Sequence, residues 1–530
     1  MLPLQTQTAI NCVIMTYLTI PIAAKDIQQA LLQIKKSSAA GTEMLELRTD
    51  YLKNLNAGLA EKLISAAKGR IPLIVTCRDK KQGGVFNYPL KLRVEVLVAA
   101  INAGVDFVDL EYDNFFVPEV RQEIKKALSN NKETKLILSA HNFKTKFADI
   151  KKLCREIKKA FPSAIPKLVY TANHINNCFD AFDLLHNTRG ERIVFCMGGA
   201  GLISRVVAKK LGSMVTFASI DEGTATAPGQ LTVEEFKKLY RYDSINNKTA
   251  LYGVIADPVG HSLSPHVHNA CFEKAGLNKV YLPLLVQGGR KEFNSFFDNI
   301  LARPWLDFKG FSVTIPHKEN ALDYVKRKKG FIEPLAEKIG VANTIVIKAE
   351  GKLAAYNTDY RSALDSVTSA MRIKKTGLEN MPVAVIGAGG VSRAIVAGLS
   401  DAGANITIYN RTVKRAEDLA REFGCEFAGL ERLKNLNAKL VINCTSIGMH
   451  PKVDATPLST KYLKKGMVVF DTVYNPIETL LLKQAKKAGA KTIDGVSMFV
   501  NQAAAQFRLF TGKNADATLM RKVICEHLAK

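Results

Sequence analysis

The sequence predicts a closed (β/α)8 barrel followed by a two-lobed α/β unit, and three observations carry that prediction. Eight short apolar runs, separated by helix-period stretches, occupy roughly the first 230 residues, the count and length of a parallel barrel. A new alternating series starts at Leu251–Ile255 after a polar stretch. A Gly-Ala-Gly-Gly turn at 387–390 then opens a further strand–helix series, as nucleotide-binding units do.

The barrel strands are expected at Cys12–Leu18, Met44–Leu47, Pro72–Thr76, Phe107–Leu110, Leu136–Ser139, Lys167–Thr171, Ile193–Met197 and Val215–Ser219. Each is a short apolar or alternating run bounded by polar residues. Between them, Leu90–Ile101 and Phe147–Ala160 place apolar residues at helical spacing. An open sheet rarely needs eight strands, so closure over residues 1–242 is the natural reading. The polar stretch Tyr242–Thr249 reads as a linker, a first lobe as 250–360 and a nucleotide-binding lobe as 361–497.

Hydrophobic residues make up 47% and charged residues 23% of the 530, an ordinary balance for a protein with sizeable cores. No apolar run approaches the roughly 18 residues that span a bilayer. Ile10–Ile20 is short, and the first basic residue, Lys25, follows it rather than preceding it as in a secretory signal. The start is also poor in the Arg and Ser of a transit peptide, so a cytosolic protein is expected. Nine cysteines without a Cys-x-x-Cys pair suggest reduced core thiols, with no disulfide framework and no zinc. The net charge of +25 sits on scattered lysine doublets, and the dense run Lys326–Lys329 lacks interleaved aromatics. This favours a solvated surface that attracts anionic metabolites over nucleic-acid binding.

Barrel enzymes carry their chemistry at strand C-termini. Here those positions hold Glu46, Arg48, Arg78, His141 and Lys167, with Thr226 and Gln230 in the loop after strand eight. A lysine aimed into a low-dielectric barrel has a lowered pKa and can attack a carbonyl, while a nearby histidine moves protons. The pieces Glu-Leu-Arg-Thr-Asp (46–50), Thr-Cys-Arg (76–78), Ser-Ala-His-Asn-Phe (139–143), Ile-Pro-Lys (165–167), Ile-Ser-Arg (203–205) and Ala-Pro-Gly-Gln (227–230) resemble type I 3-dehydroquinate dehydratase. The resemblance implies a Schiff base at Lys167 and proton transfer by His141. It also implies that Arg205 holds the substrate carboxylate, with Glu46, Arg48, Arg78, Thr226 and Gln230 around the ring. Gln82 stands where that family has glutamate. It can accept a bond from the imidazole but cannot offset an imidazolium charge.

In the second half, Ser264 and Pro265 suit the N-cap and first turn of a helix. The hydroxyls of Ser262 and Ser264 could hold a carboxylate at its N-terminus. His261, His266 and His268 lack an acidic neighbour and diverge, so no metal is expected. At the glycine turn, Val383–Ile386 reads as a strand, and Gly387, Gly389 and Ser392 take the small-residue positions before a helix over Arg393–Leu399. The next strand, Asn405–Tyr409, ends in Asn410-Arg411-Thr412 and then Lys414-Arg415. The acidic residue of an NAD site is missing and basic ones are present, which selects NADP.

The motifs His-Ser-Leu-Ser-Pro (261–265), Ser-Val-Thr-Ile-Pro-His-Lys (312–318), Val-Ala-Asn-Thr (341–344), Asn-Thr-Asp (357–359), Asn-Cys-Thr-Ser-Ile-Gly-Met (443–449), Asp-Thr-Val-Tyr-Asn-Pro (471–476) and Asn-Gln-Ala-Ala (501–504) resemble shikimate dehydrogenase. By that likeness Lys318 and Asp359 exchange the proton of the reacting hydroxyl. Ser262, Ser264, Thr314, Asn343, Tyr474 and Gln502 would bind substrate. Gly387, Ala388, Gly389, Gly390, Asn410, Arg411, Thr412, Lys414, Arg415, Thr445, Gly495 and Met498 would bind NADP(H), and helices within 498–530 would rejoin the first lobe. Together the halves imply conversion of 3-dehydroquinate to 3-dehydroshikimate and then to shikimate. A quinate dehydrogenase with a weak dehydratase lobe, or a barrel that binds without catalysing, remains open at this point.

Overall fold

The computed structural model describes residues 15–69, 71–227 and 229–529. The chain divides into two compact units, one ending at Thr249 and the other beginning at Ala250.

The first unit is built on eight strands: β1 (Tyr17–Ile22), β2 (Met44–Arg48), β3 (Leu73–Thr76), β4 (Phe107–Glu111), β5 (Lys135–Asn142), β6 (Ile165–Thr171), β7 (Ile193–Met197) and β8 (Val215–Phe217). Each pairs in parallel with the next as far as β7, and β1 also pairs with β8. Ile74, Phe107, Ile137, Ile165, Ile193 and Val215 form one core, so the interior is packed, as in a (β/α)8 barrel.

The deviations from expectation have local causes. The first strand runs from Tyr17 to Ile22 rather than over Cys12–Leu18, whose first three residues lie outside the described ones. Pro21 reads as a stop in sequence, yet it keeps its register opposite Glu46. The fifth helix starts at Ile150, not Phe147, because the Asp149 carboxylate accepts from Lys152 N at 2.8 Å and caps it there. Ser219 leaves the eighth strand for a bridge to Thr232. Tyr242, at the start of the predicted linker, is fully buried, and its hydroxyl donates to the Thr16 carbonyl at 3.2 Å. Lys209 and Lys210 donate to the carbonyls of Asp243 and Asn247. The stretch is strapped to the first unit.

The second unit holds two sheets. The first contains β9 (Ala250–Ala256), β10 (Lys279–Leu285), β11 (Phe308–Val313), β12 (Phe331–Ile332), β13 (Thr344–Ile347) and β14 (Leu353–Tyr356), in the order β10-β9-β11-β13-β14-β12. β13 runs antiparallel to both neighbours. The second contains β15 (Pro382–Ile386), β16 (Asn405–Tyr409), β17 (Glu426–Ala428), β18 (Leu440–Asn443), β19 (Val468–Asp471) and β20 (Lys491–Ile493). Its order β17-β16-β15-β18-β19-β20 is all parallel and reverses between β15 and β18, the switch point of a Rossmann sheet.

The chain leaves the first sheet through the helix Asp359–Met371 and returns through Gly495–Thr511 and Ala517–Leu528. Phe507, Phe510, Met520 and Ile524 of the returning helices complete one core with Tyr252, Val254 and Phe272. No helix among the described residues is long and apolar enough to cross a membrane.

Candidate active sites

One cavity opens in the barrel, lined by Glu46, Arg48, Arg78, His141, Lys167, Arg205, Thr226 and Gln230. The structure therefore gathers every barrel residue singled out from sequence. Gln82, Phe143, Phe195, Met197 and Phe217 complete much of the wall.

Lys167 is buried as expected, but not in an apolar setting. Its Nζ lies 2.8 Å from Asp109 Oδ2 and 3.1 Å from Glu46 Oε1. Burial pushes the Asp109 carboxyl up, but the Arg78 and Lys167 cations prevail and hold it below the usual range. Arg78 also donates to Glu111 at 2.9 Å and Ser139 Oγ at 2.6 Å. Arg48 forks onto Asp50 with two bonds of 2.8 Å. Asp109 and Glu111 went unread in sequence: both lie on β4 and point inward with its period of two.

His141 Nδ1 lies 3.1 Å from Gln82 Oε1, which also accepts from His141 N. Burial, with Arg78 and Lys167 beside it, holds the imidazole well below its ordinary pKa, so it is a neutral base at pH 7. Arg205 is 1% exposed, and its Nε and Nη2 have no hydrogen-bond partner. Its guanidinium lies 4.7 Å from the Phe195 ring, and burial lowers its pKa to about 10. A buried, charged donor without a partner is a site for an anion. Gln230 adds a second unpartnered donor in Nε2, while its Oε1 accepts from Thr226. Pro228 of that loop lies outside the described residues.

In the second unit the candidates converge on one end of the β9–β14 sheet. Ser262 and Ser264 follow β9, Thr314 and Lys318 follow β11, Asn343 precedes β13, and Asp359 follows β14. Backbone bonds tie these ends together: Thr314 N to Ile255 O, Val313 N to Asn343 O, and Asn343 N to Tyr356 O. Lys318 Nζ donates to Asp359 Oδ2 at 2.6 Å, both side chains being about one-tenth exposed. Asn357, the first residue of the Asn-Thr-Asp motif, orients this pair: its Oδ1 accepts from Asp359 N and Tyr360 N at the start of their helix.

Ser264 is not an N-cap. The helix runs Ser264–Lys274 with Leu263 before it, and Ser262 Oγ accepts from Ser264 N at 3.3 Å. Leu263 stands at the cap position, and no side chain caps this helix. His268 is buried and stacked on Tyr281 at 4.4 Å, whereas His266 lies 4.3 Å from His527. Among the described residues no group of three or more His, Cys, Asp or Glu is placed for a metal. Tyr474 packs on Phe499, and Gln502 Nε2 donates to the Phe499 carbonyl within its own helix.

The glycine turn begins directly after β15. Gly387 has φ +113°, and a Cβ there would stand 3.0 Å from Thr445 Cγ2 across the switch point. A Cβ on Gly390 would lie 3.6 Å from Lys318 Cδ, so turn and Lys–Asp pair are neighbours. A helix over Gly390–Asp401 presents its N-terminus behind Ala388 and Gly389, as a pyrophosphate requires. Past β16, Asn410 donates to the Thr412 carbonyl, and Arg411, Thr412 and Arg415 are exposed. Lys414 instead pairs with Glu417 and Asp418 on its own helix. With no carboxylate at the end of β16 and two exposed arginines after it, these residues fit a nucleotide bearing a 2′-phosphate. Gly495 is confined by the Val473 carbonyl, and Met498 is 6% exposed within the Rossmann core.

Beneath Thr445, Asn443 Oδ1 accepts from Thr445 N and Oγ1, while Asn443 Nδ2 donates to Asp471 at 2.9 Å. Burial pushes Asp471 up to about 6, against bonds from Thr479, Val473 and Asn443. The folded chain therefore holds this proton longer than the unfolded one, and stability falls as pH rises between about 4 and 6, by roughly 2–3 kcal/mol. Asp471→Asn keeps an acceptor and supplies a donor to Thr479. Its melting temperature should exceed the native value at pH 8, with the gain shrinking towards pH 5. A pH-independent difference would contradict this.

The chain is similar to known proteins along both halves. Residues 18–247 match the type I 3-dehydroquinase family, 254–345 the shikimate dehydrogenase substrate binding domain, 369–477 shikimate / quinate 5-dehydrogenase, and 495–525 the shikimate 5'-dehydrogenase C-terminal domain. The bifunctional 3-dehydroquinate dehydratase/shikimate dehydrogenase, chloroplastic, of Arabidopsis thaliana is 34% identical over 524 residues, 96% of this chain and 84% of that protein. The shikimate dehydrogenase (NADP(+)) of Methanosarcina mazei is 42% identical over 291 residues, 52% of this chain and 98% of that protein. A crystal structure of shikimate dehydrogenase with NADP+ is similar at 37% identity and a TM-score of 0.49, covering 54% of this chain and 98% of that one. With both halves matched in order along almost its whole length, the chain belongs to the family of bifunctional 3-dehydroquinate dehydratase/shikimate dehydrogenases.

Proposed function

We propose that the barrel dehydrates 3-dehydroquinate to 3-dehydroshikimate and that the second unit reduces this product to shikimate with NADPH, two consecutive steps of the shikimate pathway towards aromatic amino acids. The observation that carries the reading is the single barrel cavity shared by buried Lys167, neutral His141 and the unpartnered Arg205 guanidinium. It holds a nucleophile, a base and a carboxylate receptor together.

In the barrel, Lys167 attacks the ketone and water leaves, giving an iminium. Neutral His141 removes the proton on the adjacent carbon, and the electron pair moves to the iminium nitrogen. Imidazolium then protonates the departing hydroxyl, and water hydrolyses the iminium to free product and lysine. Arg205 holds the carboxylate, while Glu46, Arg48, Arg78, Thr226 and Gln230 set the ring. In the second unit, NADPH supplies the hydride when bound. Lys318 delivers the proton to the carbonyl oxygen, with Asp359 orienting its ammonium. Ser262, Ser264, Thr314, Asn343, Tyr474 and Gln502 hold the carboxylate and hydroxyls.

In this reading the substrate lobe comprises residues 250–360 with the returning 498–530, and 361–497 form the NADP lobe. We place the protein in the cytosol, a location that cell fractionation tests.

The experiment is to supply 3-dehydroquinate and follow enone and NADPH absorbance together. Without NADPH the enone should accumulate; adding NADPH should consume both. No enone would remove the dehydratase reading, and stable NADPH would remove the dehydrogenase. A second substitution probes the departure from the dehydratase family: Gln82→Glu puts a carboxylate beside His141 Nδ1, now 3.1 Å from Gln82 Oε1. It raises the histidine pKa, so the acidic limb of the dehydratase profile should move to higher pH and kcat should rise about tenfold. An unchanged limb would count against His141 as the base.

A further inference from the structure

Gln506 lies one helical turn beyond Gln502 and is 1% exposed. Its amide is the centre of a buried hydrogen-bond chain. The Tyr281 hydroxyl donates to Ser312 Oγ at 2.5 Å, and Ser312 donates to Gln506 Oε1 at 2.6 Å. Gln506 Nε2 donates to Thr344 Oγ1 at 3.1 Å and to the Asn343 carbonyl at 3.3 Å. Thr344 Oγ1 donates onward to Asn343 Oδ1 at 2.9 Å, and Asn343 Nδ2 donates to Thr358 Oγ1, also at 2.9 Å. Thr358 adjoins Asp359. At the other end, the Ser264 hydroxyl lies beside the Tyr281 phenol.

The chain has a direction, and Gln506 imposes it. A hydroxyl can turn to donate either way, whereas an amide accepts at one end and donates at the other. Because Gln506 donates to Thr344, the Thr344 proton is left for Asn343 Oδ1. Asn343 Oδ1 also accepts from Thr358 N at 2.9 Å, so its oxygen is committed inward. One hydrogen of its Nδ2 goes to Thr358, and the other remains for a ligand oxygen.

We propose that Gln506 is a positioning residue for the dehydrogenase substrate: acting through Thr344, and together with the Thr358 N–H, it fixes the amide direction of Asn343 and so the donor that meets a substrate hydroxyl or carboxylate. This rests on the reading of Asn343 as a substrate contact. Gln506→Glu keeps the shape but loses the fixed amide donor: an ionised carboxylate only accepts, and a protonated one can turn its single O–H elsewhere, so the Thr344 proton is no longer held on Asn343. In the full chain the KM for shikimate, and its calorimetric Kd without nucleotide, should rise about tenfold, the loss of one neutral hydrogen bond to ligand. Turnover should stay within about threefold, and neither KM for NADP nor dehydratase activity should move, because the ordering of the transition state by Lys318 and Asp359 is untouched. Thr344→Val cuts the next link without burying a charge and should give the same selective rise, which decides the matter should Gln506→Glu fail to fold. An unchanged shikimate KM and Kd, or a parallel rise in the KM for NADP, overturns the proposal. A native chain that does not turn over shikimate overturns the dehydrogenase reading instead.

Discussion

Lys167→Met abolishes the dehydration of 3-dehydroquinate, by a factor on the order of 10⁴ or more, and leaves shikimate oxidation within about twofold of native. Methionine matches the lysine stem as far as Cε but has no amine, so no iminium forms and no sink exists for the carbanion electrons. The substitution also removes a cation from between Asp109 and Glu46, and two buried carboxylates then share Arg78 as their nearest compensation. Some loss of barrel stability accompanies it, so the comparison is made below the first thermal transition. Borohydride reduction during turnover, read by mass spectrometry, supplies the decisive measurement. Native chain should gain one substrate-derived adduct at Lys167. An adduct of the same mass on Lys167→Met would refute the assignment.

Lys318→Met is expected to slow shikimate oxidation by about 10²–10⁴-fold, the range for loss of a positioned acid–base group, with dehydratase activity unaffected. The fall should lie in kcat more than in the KM for shikimate, because the proton moves only as the reaction proceeds. Asp359 loses its 2.6 Å partner and becomes a lone, largely buried carboxylate. Asp359→Asn added to Lys318→Met should therefore cost little more activity than the lysine change alone. Two independent, multiplying losses would show that the residues do not act as a pair.

The fold was legible wherever strand and helix periods differ, which is why seven of the eight barrel strands could be placed and the first was met only at its start. What escaped were features set by partners remote in sequence. Pro21 looks like a strand breaker until Glu46 is seen opposite it. Asp109 sits in Val-Asp-Leu-Glu on β4, a strand buried throughout. Where both faces of a strand are buried, polarity does not report which one turns inward. Ser264, expected as a cap, is instead the first residue of its helix, with Leu263 before it. Gln506 is invisible for a further reason: its partners Ser312 and Thr344 are 194 and 162 residues away.

The helices that return to the first sheet of the second unit also set an order of completion during synthesis. The barrel is assembled from consecutive residues and can close while the ribosome is still making the rest, since domains fold as units as they emerge. The β9–β14 sheet cannot, because Phe507, Phe510, Met520 and Ile524 supply part of the core around Tyr252, Val254 and Phe272. Its apolar face waits until residues 507–524 have emerged. A chain cut short after Asp494 would carry a finished dehydratase and an exposed hydrophobic sheet, a combination that invites aggregation.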